Sequence, residues 1–172
     1  MASLALPRAS ERILSYASRI QTLTFLFTDI EGSTDLLRRL GNDAYASVLA
    51  DHHRIIRAGL QAHDGVEHGT EGDSFFVSFG SASACVAAAV EIQRALTGHG
   101  WPMAEDVRVR MGIHTDEASV ATTGLVGFGI HRAARIAAVS HGGQVLVSTT
   151  TVDLVGDSLP RTRLFVTSDR TA

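Results

Sequence analysis

Two aspartates stand where a folded chain could hold a cation. Asp29 ends an apolar stretch, and Asp73 lies in the tight turn at residues 71–74. If the strands that carry them are neighbours, two like charges face each other and favour a cation between them. A site of oxygen ligands, which the Ile30 carbonyl could complete, suits Mg²⁺ or Mn²⁺ better than Zn²⁺. The residues alone leave a simpler alternative open, which is a strand-to-helix turn with a polar cap.

The turn that follows the first aspartate is suited to an anion. Glu31, Gly32, Ser33 and Thr34 open a predicted helix. The first backbone N–H groups of a helix have no partner within it, and they lie at the positive end of its dipole. Such a turn can take phosphate oxygens. Carboxylates next to it suggest a metal-bound triphosphate.

The composition narrows the class of protein. A chain of 172 residues that is 45% hydrophobic can bury the core of one domain. Its net charge of −3 argues against a nucleic-acid or acidic-membrane partner, since such proteins carry a basic face. No apolar run is long enough to span a bilayer. The sequence therefore predicts a cytoplasmic protein, and because it contains no Lys, its fixed positive charge is all Arg.

The order of the predicted elements indicates the fold class. Residues 1–20 are predicted to be a flexible leader, and residues 21–172 one domain with a short tail. The predicted strands cover residues 22–29, 106–114, 144–148 and 163–166, with a hairpin at 66–79. Helices are predicted at residues 34–41, 42–63, 81–96 and 130–140. This order predicts an α+β fold, with helices on one face of a mostly antiparallel sheet.

A series of motifs carries a resemblance to a known family. In order they are FTDIEGST at 27–34, TEGDSFF at 70–76, RMGIHT at 110–115, HRAARI at 131–136 and HGGQVLVS at 141–148. Together they resemble the catalytic domain of class III nucleotide cyclases of the actinobacterial type, over about residues 22–154. The resemblance implies the ferredoxin-like cyclase fold. It also implies a homodimer that converts ATP to cyclic AMP with two Mg²⁺ or Mn²⁺ ions.

The resemblance assigns roles residue by residue. Asp29, Asp73 and the Ile30 carbonyl match the metal ligands, and Gly32 to Thr34 match the turn that binds phosphate. Arg110 matches an arginine near the polyphosphate.

Two further matches lie on one predicted helix. Arg135 matches the arginine that stabilises charge at the α-phosphate, and His131 stands four residues earlier, where the family has asparagine. In the family, the aspartates of one chain face this helix of the other chain, so a monomer would hold two incomplete sites.

The departures from the family pattern concern the base. Gly69 replaces a lysine that reads adenine, and Gly124 replaces a second base-reading residue. Without these side chains we expect relaxed base specificity rather than lost chemistry. A phosphate-binding lysine is also missing, and Arg161 or Arg163 could replace it.

Several alternatives stay open at this point. The domain could be a catalytically silent dimerisation or regulatory module, or a guanylate cyclase in which Glu67 or Glu71 binds guanine. Arg110 could simply pair with Glu71 or Asp116, and Arg135 could form an ion pair at the end of its helix.

Overall fold

A seven-stranded sheet forms the centre of the structure. The structure is a computed structural model that describes residues 19–102, 105–121, 124–158 and 164–167. The strands are β1 (Arg19–Ile30), β2 (Val66–Glu71), β3 (Ser74–Phe79), β4 (Val109–Ala121), β5 (Gly124–Val126), β6 (Val145–Ser148) and β7 (Leu164–Thr167). The helices are α1 (Ser33–Ala62), α2 (Ala82–Gly98), α3 (Phe128–Val139) and α4 (Thr149–Val155), the last followed by a 3₁₀ turn (Gly156–Ser158).

The sheet is mostly antiparallel, as predicted. Its order is β2-β3-β1-β4-β6-β7, and β5 pairs with the far part of β4. Among the described residues, only the pairs β4–β6 and β6–β7 are parallel. The strand β1 is central because Phe25 and Leu26, which point to opposite faces, are both fully buried. The predicted α+β class with a mostly antiparallel sheet is confirmed.

One face of the sheet is covered by α1 and α2. The apolar residues of α1 recur at three- and four-residue spacing, and its backbone breaks at Gly41, where φ is +74°. This break separates the two helices that the sequence predicts. The helices approach closely at Gly59, where a Cβ would lie 2.3 Å from a side-chain carbon of Ile92.

The helix α3 lies on the other face, so the prediction of helices on one face was wrong for this element. A Cβ on Gly112 of β4 would lie 2.2 Å from the backbone nitrogen of Ala137. Only a residue without a side chain lets the helix lie so close to the strand. Ala133 and Ala137 keep the facing surface of α3 equally flat, and both are buried.

Some element boundaries differ from the predictions. β1 begins at Arg19, within the last two residues of the predicted leader, and β4 continues past His114 to Ala121. The rest of the leader, at residues 1–18, and the arginines at 161 and 163 lie outside the described residues. Within the described ranges, no helix is both long and apolar enough to cross a membrane.

Candidate active site

The adjacency of β1 and β3 brings the two aspartates together. Asp29 is near the end of β1, and Asp73 is in the turn that opens β3. The backbone N–H of Ile30 donates to Asp73 Oδ2 at 2.8 Å, and the Ser74 hydroxyl donates to Asp29 Oδ1 at 2.9 Å. Each carboxylate is thus held by the element that carries the other one.

The two carboxyl groups differ in their readiness to ionise. Burial opposes the ionisation of Asp29, but hydrogen bonds with Arg110, Asp73 and Ser74 hold its pKa below the ordinary value. For Asp73, burial and then the hydrogen bond with Asp29 raise the pKa. Two half-buried like charges repel, so the ionisation of one carboxyl group opposes that of the other.

This pair fits a hard divalent cation. The site offers two carboxylates and backbone oxygens as ligands. The described residues contain no group of three or more His, Cys, Asp or Glu side chains that could hold a metal. Mg²⁺ is commonly bound in this way, by one or two carboxylates together with water and substrate phosphates. The repulsion between the two carboxylates makes added positive charge favourable at this place.

Arg110 lies opposite Asp29 in the register of β1 and β4. Its Nε donates to Asp29 Oδ2 at 2.9 Å, and its Nη1 donates to the Ala138 carbonyl at 3.3 Å. Neither Glu71 nor Asp116, the partners considered from the sequence, binds it. The cross-strand position decides the pairing, because directly opposed side chains are nearest neighbours.

The turn after Asp29 begins α1 as predicted. Gly32 is left-handed, with φ of +68°, and its carbonyl accepts from the N–H groups of residues 35 and 36 at 3.0 Å. The N–H groups of Ser33 and Thr34 precede these and belong to the first turn. The side chain of Glu31 points toward His141, with 3.9 Å between the Oε1 of Glu31 and the Nδ1 of His141.

His131 and Arg135 point away from the sheet of their own chain. The buried side of α3 carries Ala133 and Ala137. At about 100° per residue, His131 and Arg135 lie roughly 160° around the helix from Ala133. Both are exposed, and neither forms a hydrogen bond or ion pair with the part of the chain that the structure describes. The helix-end ion pair considered for Arg135 is not observed there.

The two glycines at the base-reading positions lie on different strands. Gly69 is exposed on β2, and a Cβ there would meet no atom within 4 Å. It borders a cavity of about 460 Å³ whose aromatic lining includes Phe27 and Phe76, stacked at 4.7 Å between ring centroids. Gly124 begins β5 with φ of +123°.

Glu67 is not available to a base in this structure. Arg57 donates to both of its carboxylate oxygens, at 2.8 and 2.9 Å, and Thr70 donates a further hydrogen bond. These contacts, with that of Arg57 the largest, lower the pKa of Glu67 to about 2. Of the two acidic residues considered for guanine, only Glu71 remains exposed without such a partner among the described residues.

Residues of α1 behind the carboxylates were missed in the sequence. Tyr45 is one of them, and burial and then the charge of Asp73 raise its pKa. His53 Nε2 lies 2.8 Å from the Gly72 carbonyl. Both residues look like ordinary members of an amphipathic helix, so no sequence signal marks them.

Comparison with known proteins gives a consistent family. The sequence profile described as the adenylate and guanylate cyclase catalytic domain matches residues 15–170. An uncharacterized protein of Mycobacterium tuberculosis is 36% identical over 141 residues, which are 81% of this chain and 47% of that protein. The chain therefore spans about half the length of this relative.

Solved structures of both kinds of cyclase share the fold. Adenylate cyclases from Trypanosoma brucei, in their monomeric state, align with a TM-score of 0.74 and 28% identity, over 80% of this chain and 77% of that one. The guanylyl cyclase Cya2 aligns with a TM-score of 0.72 and 27% identity, over 81% of each chain.

Proposed function

The chain belongs to the adenylate and guanylate cyclase family, and we propose that it is an adenylate cyclase that converts ATP to 3′,5′-cyclic AMP and pyrophosphate. One observation carries this proposal. The carboxylate pair of Asp29 and Asp73 lies beside the N-terminus of α1, whereas Arg135 points away from the same sheet. A complete site for a metal-bound triphosphate therefore needs two copies of the chain, with the carboxylates of one copy facing α3 of the other.

The residues of the first copy would bind the triphosphate. Two Mg²⁺ or Mn²⁺ ions held by Asp29, Asp73 and the Ile30 carbonyl would polarise the ribose 3′ oxygen and neutralise phosphate charge. The backbone N–H groups of Ser33 and Thr34 would hold phosphate oxygens at the positive end of the helix.

The residues of the second copy would act at the reacting phosphorus. The ribose 3′ oxygen loses its proton to solvent and forms a bond to the α-phosphorus, while the bond from that phosphorus to the bridging oxygen breaks and pyrophosphate leaves. Arg135 would stabilise the charge that develops on the α-phosphate oxygens. His131 would donate a hydrogen bond to the ribose or to a phosphate.

The base would be bound with little discrimination. Neither Gly69 nor Gly124 can hydrogen-bond a purine through a side chain, and a buried polar partner of the base usually supplies most of the selectivity. ATP is favoured over GTP because Glu67, one of the two acceptors for guanine, is engaged by Arg57.

The lone Cys85 is buried, which fits the reducing cytoplasm that we propose for this reaction.

A product assay tests the proposal. The purified chain is given ATP or GTP separately, with Mn²⁺, and the cyclic products are quantified. Cyclic AMP as the main product, with less cyclic GMP, is the expected result. Cyclic GMP alone would make the protein a guanylate cyclase, and the absence of either product would make it a regulatory or dimerisation module.

Variants of the carboxylates test the metal assignment. Asp29→Ala and Asp73→Ala should each abolish turnover and leave the oligomeric state, measured by light scattering, unchanged. Asp43→Ala removes an exposed aspartate of α1 and serves as the matched control. Normal activity in either of the first two variants would refute the assignment.

A further inference from the structure

The turn that carries Asp73 is fixed from behind by a histidine of α1. His53 Nε2 lies 2.8 Å from the carbonyl oxygen of Gly72. A carbonyl oxygen can only accept a hydrogen bond, so the Nε2 of His53 carries the proton and donates it. This contact joins α1 to the tip of the β2–β3 hairpin.

The contact acts on the peptide plane next to Asp73. The carbonyl of Gly72 and the backbone nitrogen of Asp73 belong to one planar peptide unit. Gly72 is left-handed, with φ of +59°, and therefore offers little steric resistance to rotation of this unit. A hydrogen bond to its carbonyl sets the direction in which Asp73 leaves the turn.

Asp73 is thus held at two points. The Ile30 N–H binds its carboxylate at 2.8 Å, and His53 binds the peptide unit that precedes its Cα. The His53 ring is itself held, because it meets the ring of Phe75 edge-on at 5.1 Å and an interplanar angle of 89°. Its neighbour His52 is fully buried and anchors this turn of α1 in the core.

We propose that His53 is a positioning residue for Asp73, and through it for the divalent cation of the active site. The inference rests on the proposed function, because it assigns Asp73 to a metal. Loss of the outer partner of a metal ligand typically lowers metal affinity or activity about 10- to 100-fold. His53 is expected to act at this level, without touching metal or nucleotide.

The test compares two substitutions that differ in one property. His53→Gln keeps an N–H donor at nearly the position of Nε2, whereas His53→Met has similar length and no donor. Mn²⁺ binding to the nucleotide-free protein is measured by isothermal titration calorimetry. His53→Met is expected to weaken Mn²⁺ binding roughly 10-fold or more, and His53→Gln to restore most of the affinity.

Controls separate positioning from general damage. His63→Met removes the histidine that directly follows α1, whose ring pairs with Glu91 at 2.8 Å away from the hairpin, and this variant should bind Mn²⁺ like the wild type. His53→Phe keeps the aromatic contact with Phe75, and replaces His53→Met in the comparison if circular dichroism shows that the methionine variant is unfolded.

The outcomes distinguish the two proposals. If Asp73→Asn abolishes Mn²⁺ binding and the donor-free variants bind Mn²⁺ like the wild type, the role of His53 is refuted and the metal site stands. If the wild type shows no Mn²⁺ binding that depends on Asp73, the metal assignment fails and the role of His53 fails with it.

Discussion

Mixing two inactive variants is the sharpest test of a site shared between chains. Asp29→Asn removes the charge of one carboxylate but keeps an oxygen that can accept from the Ser74 hydroxyl. Arg135→Ala removes an exposed side chain that has no partner in the described ranges, so it should change the free energy of unfolding by no more than about 0.5 kcal/mol. Each variant alone should fold, dimerise and make almost no cyclic AMP.

The expected recovery follows from the arrangement of the site. At equal amounts with free exchange of subunits, half of the dimers contain one chain of each kind. In such a dimer, one site combines the intact Asp29 with the intact Arg135, and the other site combines both defects. A twofold dimer has two sites, so the mixture should recover about a quarter of the wild-type activity per chain.

The assay measures cyclic AMP formed after the variants are mixed and incubated, with the dimer fraction followed by light scattering. Differently tagged chains allow the mixed dimer to be purified, and its activity should then be about half that of the wild type. Arg132→Ala, on the same helix, is the control and should remain active without a partner. Mixed dimers that form but stay inactive would refute a site built from Asp29 and Arg135 of different chains.

Three further outcomes are expected. Arg135→Ala should lower kcat roughly 100-fold or more while KM changes little, because its partner charge exists mainly in the transition state; an equal effect on nucleotide binding would contradict this. Gly69→Lys should fold, since a Cβ there meets no atom within 4 Å. Measured by initial rates, it should lower the KM for ATP relative to the control Gly80→Lys, which lies at an equally open position. Burial is the main cause, and the nearby charge of His53 the second, that lowers the pKa of His52 from 6.5 to about 4. Between these two pH values the unfolded chain therefore binds a proton that the folded chain does not. The free energy of unfolding of the wild type should therefore fall by roughly 3 kcal/mol as the pH falls from about 6.5 to about 4. Urea unfolding of His52→Leu should not show this loss. The same dependence of the unfolding free energy on pH in the variant would show that His52 is not its source.

The parts of the fold that could be predicted depend on local patterns. The alternation of apolar residues marks β1, and the Gly72 turn between two short strands marks the hairpin. These signals are local because backbone conformation and one-sided burial repeat with a fixed period. The meeting of Asp29 and Asp73 required only the further assumption that the two strands are neighbours.

The side of the sheet on which α3 lies could not be read from its own sequence. A periodic apolar face shows that a helix is buried, but not which layer it joins. The signal lies in β4, where Gly112 stands between the bulky residues Met111 and Ile113. Gly112 indicates where α3 packs only once Ala133 and Ala137 are known to lie over it.

The pairing of Arg110 was likewise hidden, because it depends on the register of β1 against β4. An ion pair between distant residues requires knowledge of which positions face each other, and a shift by one residue would move Arg110 to the other face. The two residues considered from the sequence as partners of this side chain, Glu71 and Asp116, did not include Asp29.

The Arg110 pairing explains how the two carboxylates can come together in the absence of a cation. Two half-buried carboxylates would repel, and the guanidinium of Arg110 on Asp29 offsets part of this repulsion. This compensation is reversible, since a long side chain can rotate away. The carboxylates can therefore be assembled before a cation arrives. A cation bound here would compete with Arg110 for Asp29, and it would favour the ionised form of Asp73, whose pKa is raised by burial and then by the hydrogen bond with Asp29.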